Sequence, residues 1–122
     1  ILASSSQMNS VKAIICNAES KECTYTKIDP SLHNLKKILN CKYIESLSLL
    51  SYPYTNIICD EEARIKNIDK RYFQLYDWVF VNDAIIIGSE SCCSLSGEFV
   101  DVRMQLDEVE ANLIWLPESY KE

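Results

Sequence analysis

Apolar residues along this chain come in short bursts, some spaced as in strands and others as in helices. Val11 to Cys16 (VKAIIC) is a β-branched run, and Cys23 to Ile28 (CTYTKI) alternates Tyr25 with Thr24 and Thr26. Polar NAESKE between them predicts a β-hairpin with a longer loop. Asp29-Pro30-Ser31 then reads as a helix start, with Asp29 as cap and Pro30 at the first helical position. Leu32, Leu35, Ile38 and Leu39 follow at helical spacing, and His33 falls off that stripe, on the exposed side.

Tyr43 to Leu50 (YIESLSLL) has a strand's composition. Pro53, in the following SYPY, rules out a continuous central strand, and a short strand resumes at Asn56 to Cys59. Asp60-Glu61-Glu62 is expected to turn the chain into a returning strand at Arg64 to Lys66. Asn67 to Tyr76 reads as a loop or single helical turn. Asp77 to Ile87 (DWVFVNDAIII) is the strongest strand signal, with a bend or turn at Asn82-Asp83. A Ser/Cys-rich loop from Gly88 to Gly97 leads to an alternating strand at Glu98 to Met104. Leu106, Val109, Leu113 and Leu116 predict a C-terminal amphipathic helix, with Asp107 and Glu108 at its start and Pro117 ending it. Trp78 and Trp115 are expected to anchor the core.

A hairpin, a helix, further strands and a terminal helix make an α+β fold. The expected sheet is mainly antiparallel, with about five to seven strands, one helix after the first hairpin and a C-terminal helix. Ile1 to Gln7 is uncharged and Ser-rich. It reads as a cloning scar ahead of a natural start at Met8, the alternative being a genuine N-terminal arm, and leaves residues 8–122 as a single domain. Apolar runs such as Ala84 to Ile87 are far too short to span a membrane, so a cytoplasmic protein is expected.

Composition narrows the chemistry. Only two glycines are present, Gly88 and Gly97, so neither a dinucleotide fingerprint nor a phosphate-binding P-loop exists. The net charge of −6 disfavours nucleic acid, whose binding depends on releasing phosphate counterions. It suits a partner protein with a basic surface. Self-association is compatible with the same composition.

The six cysteines are Cys16, Cys23, Cys41, Cys59, Cys92 and Cys93. They lack the paired C-x₂₋₄-C spacing of a zinc site, so no metal and no cofactor is expected. Cys16, Cys41 and Cys59 sit in or beside apolar segments and read as buried hydrophobes in a reduced protein. Cys16 and Cys23 flank the first hairpin and can face each other across it, where a bond would be an oxidation event and not a structural staple.

The lone histidine, His33, has no nucleophile motif nearby, and no catalytic constellation is recognisable. Cys92-Cys93 is a loop pair that reacts only if something lowers a thiol pKa. Lys66, Lys70 and Arg71 beside Tyr72, Phe73 and Tyr76 form the one basic-aromatic cluster; Lys70, Arg71 and Tyr72 are the candidate ligand-binding residues. The candidate protein-binding surface combines Asp60, Glu61 and Glu62 with Asp107, Glu108 and Glu110 of the terminal helix.

The segments KAIICN, IDPSLHNLKKIL, YIESLSL, NIICDEEARIKNIDKRYF and DWVFVNDAIIIGSES, taken in order, carry a resemblance. Over Lys12 to Val102 the chain resembles a family of small domains of unknown function. That family is carried by phages, plasmids and conjugative elements of Gram-positive bacteria. It departs from the family pattern where Ala63 follows the acidic turn, and around Asn67 to Lys70. The family has no assigned catalytic residues to transfer. The resemblance implies an accessory protein of a mobile element in a bacterial cytoplasm, a setting associated with inhibitors of host defence. The expected function is a non-enzymatic interaction protein that inhibits a host protein through an acidic surface. The alternative is a domain that binds or sequesters a nucleotide or signalling molecule.

Overall fold

A computed structural model describes residues 10–90 and 98–122. The expectations for Ile1 to Gln7 and for Cys92-Cys93 lie outside the described residues. The chain is α+β, and its strands form two sheets. They are β1 (Val11–Asn17), β2 (Glu22–Ile28), β3 (Ile44–Ser48), β4 (Thr55–Asp60), β5 (Tyr72–Leu75), β6 (Trp78–Val81), β7 (Ala84–Ser89), β8 (Phe99–Val100) and β9 (Leu113–Trp115). Two helices, α1 (Leu32–Leu39) and α2 (Leu106–Asn112), complete the described elements.

The larger sheet has the order β2-β1-β7-β4-β3, with β8 also paired to β7, and every pairing is antiparallel. Its central strand, β7 (AIIIGS), is buried along its whole length. Both faces of the sheet are covered, which is why β4 and β7 read as continuous apolar runs and not as alternation. On one face Ala13, Ile58, Ile85 and Ile87 pack against Leu35 of α1. On the other, Ile14, Ile57 and Ile86 meet Phe73, Leu75 and Phe80 of the small sheet and Val109 of α2. The result is three layers: α1, the six-stranded sheet, and the three-stranded sheet (β6-β5-β9) beside α2.

Several local expectations are corrected. Arg64 to Lys66 is a turn and not a strand, because the Glu62 carbonyl accepts from both Ile65 N and Lys66 N at 3.1 Å. The segment read as a loop contains β5, since Phe73 and Leu75 alternate onto the core. Asp77 to Ile87 is split at Asn82, which takes φ 62° and lets the chain pass from the small sheet to the large one. Gly88 and Ser89 belong to β7, and only Phe99–Val100 of the segment Glu98 to Met104 pairs as a strand.

The terminal helix stops at Asn112. Leu113 is extended (φ −106°, ψ 134°) because Leu113 to Trp115 pair with β5. Leu113 keeps helical phase with Val109 and Leu116, while Leu113 and Trp115, two residues apart, satisfy a strand's period. Ser31, not Asp29, caps α1, while the Asp29 carboxylate accepts from Ser31 N at 3.0 Å. Trp115 packs edge-on against Phe73 with ring centroids 5.4 Å apart, but Trp78, at the end of the β5–β6 hairpin, is 45% exposed. No described helix is long and apolar enough to cross a membrane.

Candidate functional site

Strand β4 ends at Asp60, whose position in the alternation places it on the α1 side of the large sheet with Ile58. Its carboxylate organises the turn that follows. One oxygen accepts from Glu62 N at 2.9 Å and the other from Lys66 Nζ at 2.5 Å. Glu61 N donates to the Tyr43 carbonyl, and Ala63, nearly fully buried, plugs the turn from beneath. Asp60 holds the Lys66 ammonium above the ordinary lysine range. The carboxylates of Glu61 and Glu62 have no ion-pair partner among the described residues. Beside them stand Tyr43, 55% exposed, and Ile65, 80% exposed, and these four side chains line one shallow depression. Ile68, also exposed, follows on the same loop.

Next to this turn lies a polar cleft of about 370 Å³. Its walls are the β1–β2 loop (Ala18, Glu19), the end of α1 (Leu39, Asn40), Asp60 and Lys66, the loop through Asp69 and Arg71, and the Asn82-Asp83 joint. Most of its polar groups already have partners. Asp83 Oδ1 accepts from Ala18 N at 2.9 Å and Asn82 Oδ1 from Arg71 N at 2.9 Å. Arg71 Nη1 donates to Glu118 at 2.8 Å, holding the Glu118 carboxyl below the usual range. Glu19, Asp60, Asp69 and Asp83 outnumber Lys66 and Arg71 along the walls, so the cleft is electronegative.

Of the basic-aromatic candidates, Arg71 borders this cleft, and Lys70 shares a smaller recess with Arg71, Asp69 and Glu118. Tyr72 is engaged elsewhere, packing edge-on against Tyr120 at 5.0 Å. The two acidic groups are not brought together. Asp60, Glu61 and Glu62 sit at the strand end on the α1 side, whereas Asp107, Glu108 and Glu110 ride on α2, against the opposite face. Glu108 is occupied by a hydrogen bond from the Tyr52 hydroxyl at 3.2 Å. Tyr43 and Ile65 escaped the reading of the sequence. The available signal was Ile65, set inside the charged run DEEARIKNID and read there as part of a returning strand at Arg64 to Lys66.

His33 is exposed on α1, and no group of three His, Cys, Asp or Glu side chains suited to a metal exists among the described residues. Cys16, Cys23, Cys41 and Cys59 are free thiols. Burial pushes Cys59 up to about 12, so it is inert at neutral pH. No family model, curated protein or solved structure matches this chain.

Proposed function

We propose that this chain is a non-enzymatic interaction protein whose acidic turn, Asp60 to Lys66, docks a basic, apolar-bearing segment of a partner protein. The observation that carries this reading is the pairing of exposed Tyr43 and Ile65 with the free carboxylates of Glu61 and Glu62 on one rigid turn. Burying an isoleucine of that exposure contributes about 1.5–3 kcal/mol, while rim carboxylates steer a cationic partner and set its orientation. Asp60 is neutralised by Lys66 and acts as scaffold, so the recognition charge comes from its two neighbours. The resemblance to mobile-element domains supports a host protein as the partner and inhibition as the outcome.

The test is affinity capture from a bacterial lysate across a salt series, followed by titration of the identified partner. Ile65→Ser is expected to weaken binding about tenfold, and Glu61→Lys with Glu62→Lys to weaken it further and flatten its salt dependence. Binding unchanged by these substitutions, or no specific partner at any salt, overturns the proposal.

The polar cleft beside Arg71 favours a second reading, a small polar ligand held near Lys70 and Arg71. Its excess of carboxylates weighs against a phosphate-bearing compound. Thermal-shift measurement with nucleotides decides this reading, since a ligand that binds only the folded state raises Tm with the logarithm of its concentration above Kd.

A further inference from the structure

Cys16 and Cys23 are directly opposed in the β1–β2 ladder, and their sulfurs lie 3.4 Å apart. Opposed residues in antiparallel strands have Cα atoms about 4.5–5.5 Å apart, inside the range of about 4.4–6.8 Å that a disulfide spans. The two thiols differ in access. Cys16 has no exposed surface and belongs to the core cluster, whereas Cys23, on edge strand β2, is only half-buried. We propose that this pair is a thiol–disulfide exchange site for low-molecular-weight disulfides, with Cys23 as the attacking sulfur and Cys16 as the resolving one.

The chemistry balances without a metal or cofactor. The Cys23 thiolate attacks one sulfur of a disulfide such as oxidised glutathione, and the S–S bond breaks to release one glutathione thiolate. Cys16 then gives up its proton and attacks Cys23 Sγ, expelling the second glutathione. Two protein thiols are oxidised to one disulfide, and one small disulfide is reduced to two thiols, which carry away both protons.

Electrostatics agrees with this division of roles. The hydrogen-bonding contact with Cys16 holds Cys23 below the ordinary thiol range, although burial and the Glu110 carboxylate oppose the shift. The contact with Cys23, together with burial, raises Cys16, which therefore stays protonated until the mixed disulfide forms. The new bond would cross the hairpin one residue before the loop that walls the polar cleft. It would fix β2, the edge strand, to β1.

The test treats the full-length protein with oxidised glutathione, quenches with acid, and maps cysteine-containing peptides by mass spectrometry over time. Wild type should pass through a glutathione adduct on Cys23 to an intramolecular Cys16–Cys23 bond. Cys16→Ala should stop at the Cys23 adduct, and Cys23→Ala should leave Cys16 unmodified. The wild-type time course needs no substitution in the core, so it answers even if Cys16→Ala fails to fold. A wild-type Cys23 that stays a free thiol, or a first adduct on Cys16, overturns the proposal.

Discussion

Replacing Gly88 by alanine adds one methyl group to the central strand, and the structure leaves no room for it. A Cβ built there falls 2.2 Å from the Asp101 carbonyl oxygen and 3.1 Å from Val100 Cγ2. The φ of Gly88 is not positive, so backbone conformation alone would allow alanine. At a permissive site that replacement ordinarily stabilises by about 0.4–1 kcal/mol, through the unfolded chain. Here the sign should reverse.

Relieving the contact means moving the Asp101 backbone outward by roughly 1 Å, the gap between the built distance and ordinary van der Waals contact. That backbone is clamped. Val102 N donates to the Lys12 carbonyl at 2.8 Å, and Lys12 N donates to Asp101 Oδ1 at 2.8 Å. Buried Val102 and Met104 anchor the segment just beyond. Overpacking of this kind costs about 1–3 kcal/mol, and each strained hydrogen bond adds about 0.5–1.5. The expected loss is about 2–6 kcal/mol, a large share of the ~5–15 kcal/mol available to a domain. Urea unfolding followed by tryptophan fluorescence should show a lower midpoint with an unchanged slope, and Tm should fall on the order of 10 °C. A Gly88→Ala protein as stable as wild type, or more so, refutes the claim that the Asp101 carbonyl covers this position.

Other perturbations probe the polar joints. Gln105 offers no side-chain cap to α2, and the Tyr25 hydroxyl accepts from Leu106 N at 2.7 Å instead. Tyr25→Phe should therefore cost about 1 kcal/mol in urea unfolding, like the loss of a helix cap. Asp83→Ala leaves the amide of buried Ala18 without its acceptor and should cost about 1–3 kcal/mol, with faster hydrogen exchange at Ala18 as the local signature. Burial raises Cys59 from 9.0 to about 12. A raised folded-state pKa gives stability that is complete below pH 9 and is lost as pH climbs from 9 towards about 12. The loss per pH unit is at most about 1.4 kcal/mol, and Cys59→Ala should show a shallower alkaline decline in Tm.

Strand β1, hairpin partner β2, helix α1 and the buried β7 were legible because each obeys one strong local rule. β-Branched runs, a polar loop and helical leucine spacing all agree there with the tertiary outcome. The failures cluster where tertiary pairing outweighs local pattern. The stretch after Arg71 looked irregular because Phe73 and Leu75 supply only two core contacts, too few to stand out from their charged surroundings. The end of the terminal helix was invisible because Leu113 and Leu116 keep helical phase, while the β5 edge recruits Leu113 to Trp115 as a strand. The exposure of Trp78 follows from its place at a hairpin end, a feature of topology that composition does not encode. At the candidate site the acidic turn was readable, but its apolar neighbours were not. Tyr43 reaches it from the start of β3 across a bond between Glu61 N and its own carbonyl, a contact bridging separate parts of the chain.

The position of β7 also governs the order in which the molecule can assemble. It lies between β1 and β4, so the hairpins β1–β2 and β3–β4 have no mutual pairing until the seventh strand arrives between them. Each hairpin alone is marginal in water and exposes an unpaired inner edge. During synthesis, the chain must leave the ribosome as far as Ser89 before β7 can join the two hairpins. Contacts so distant in sequence make folding slow and dependent on a late nucleus. Substitutions in β7 should therefore retard refolding, whereas those in the β5–β6 hairpin of the small sheet should chiefly accelerate unfolding.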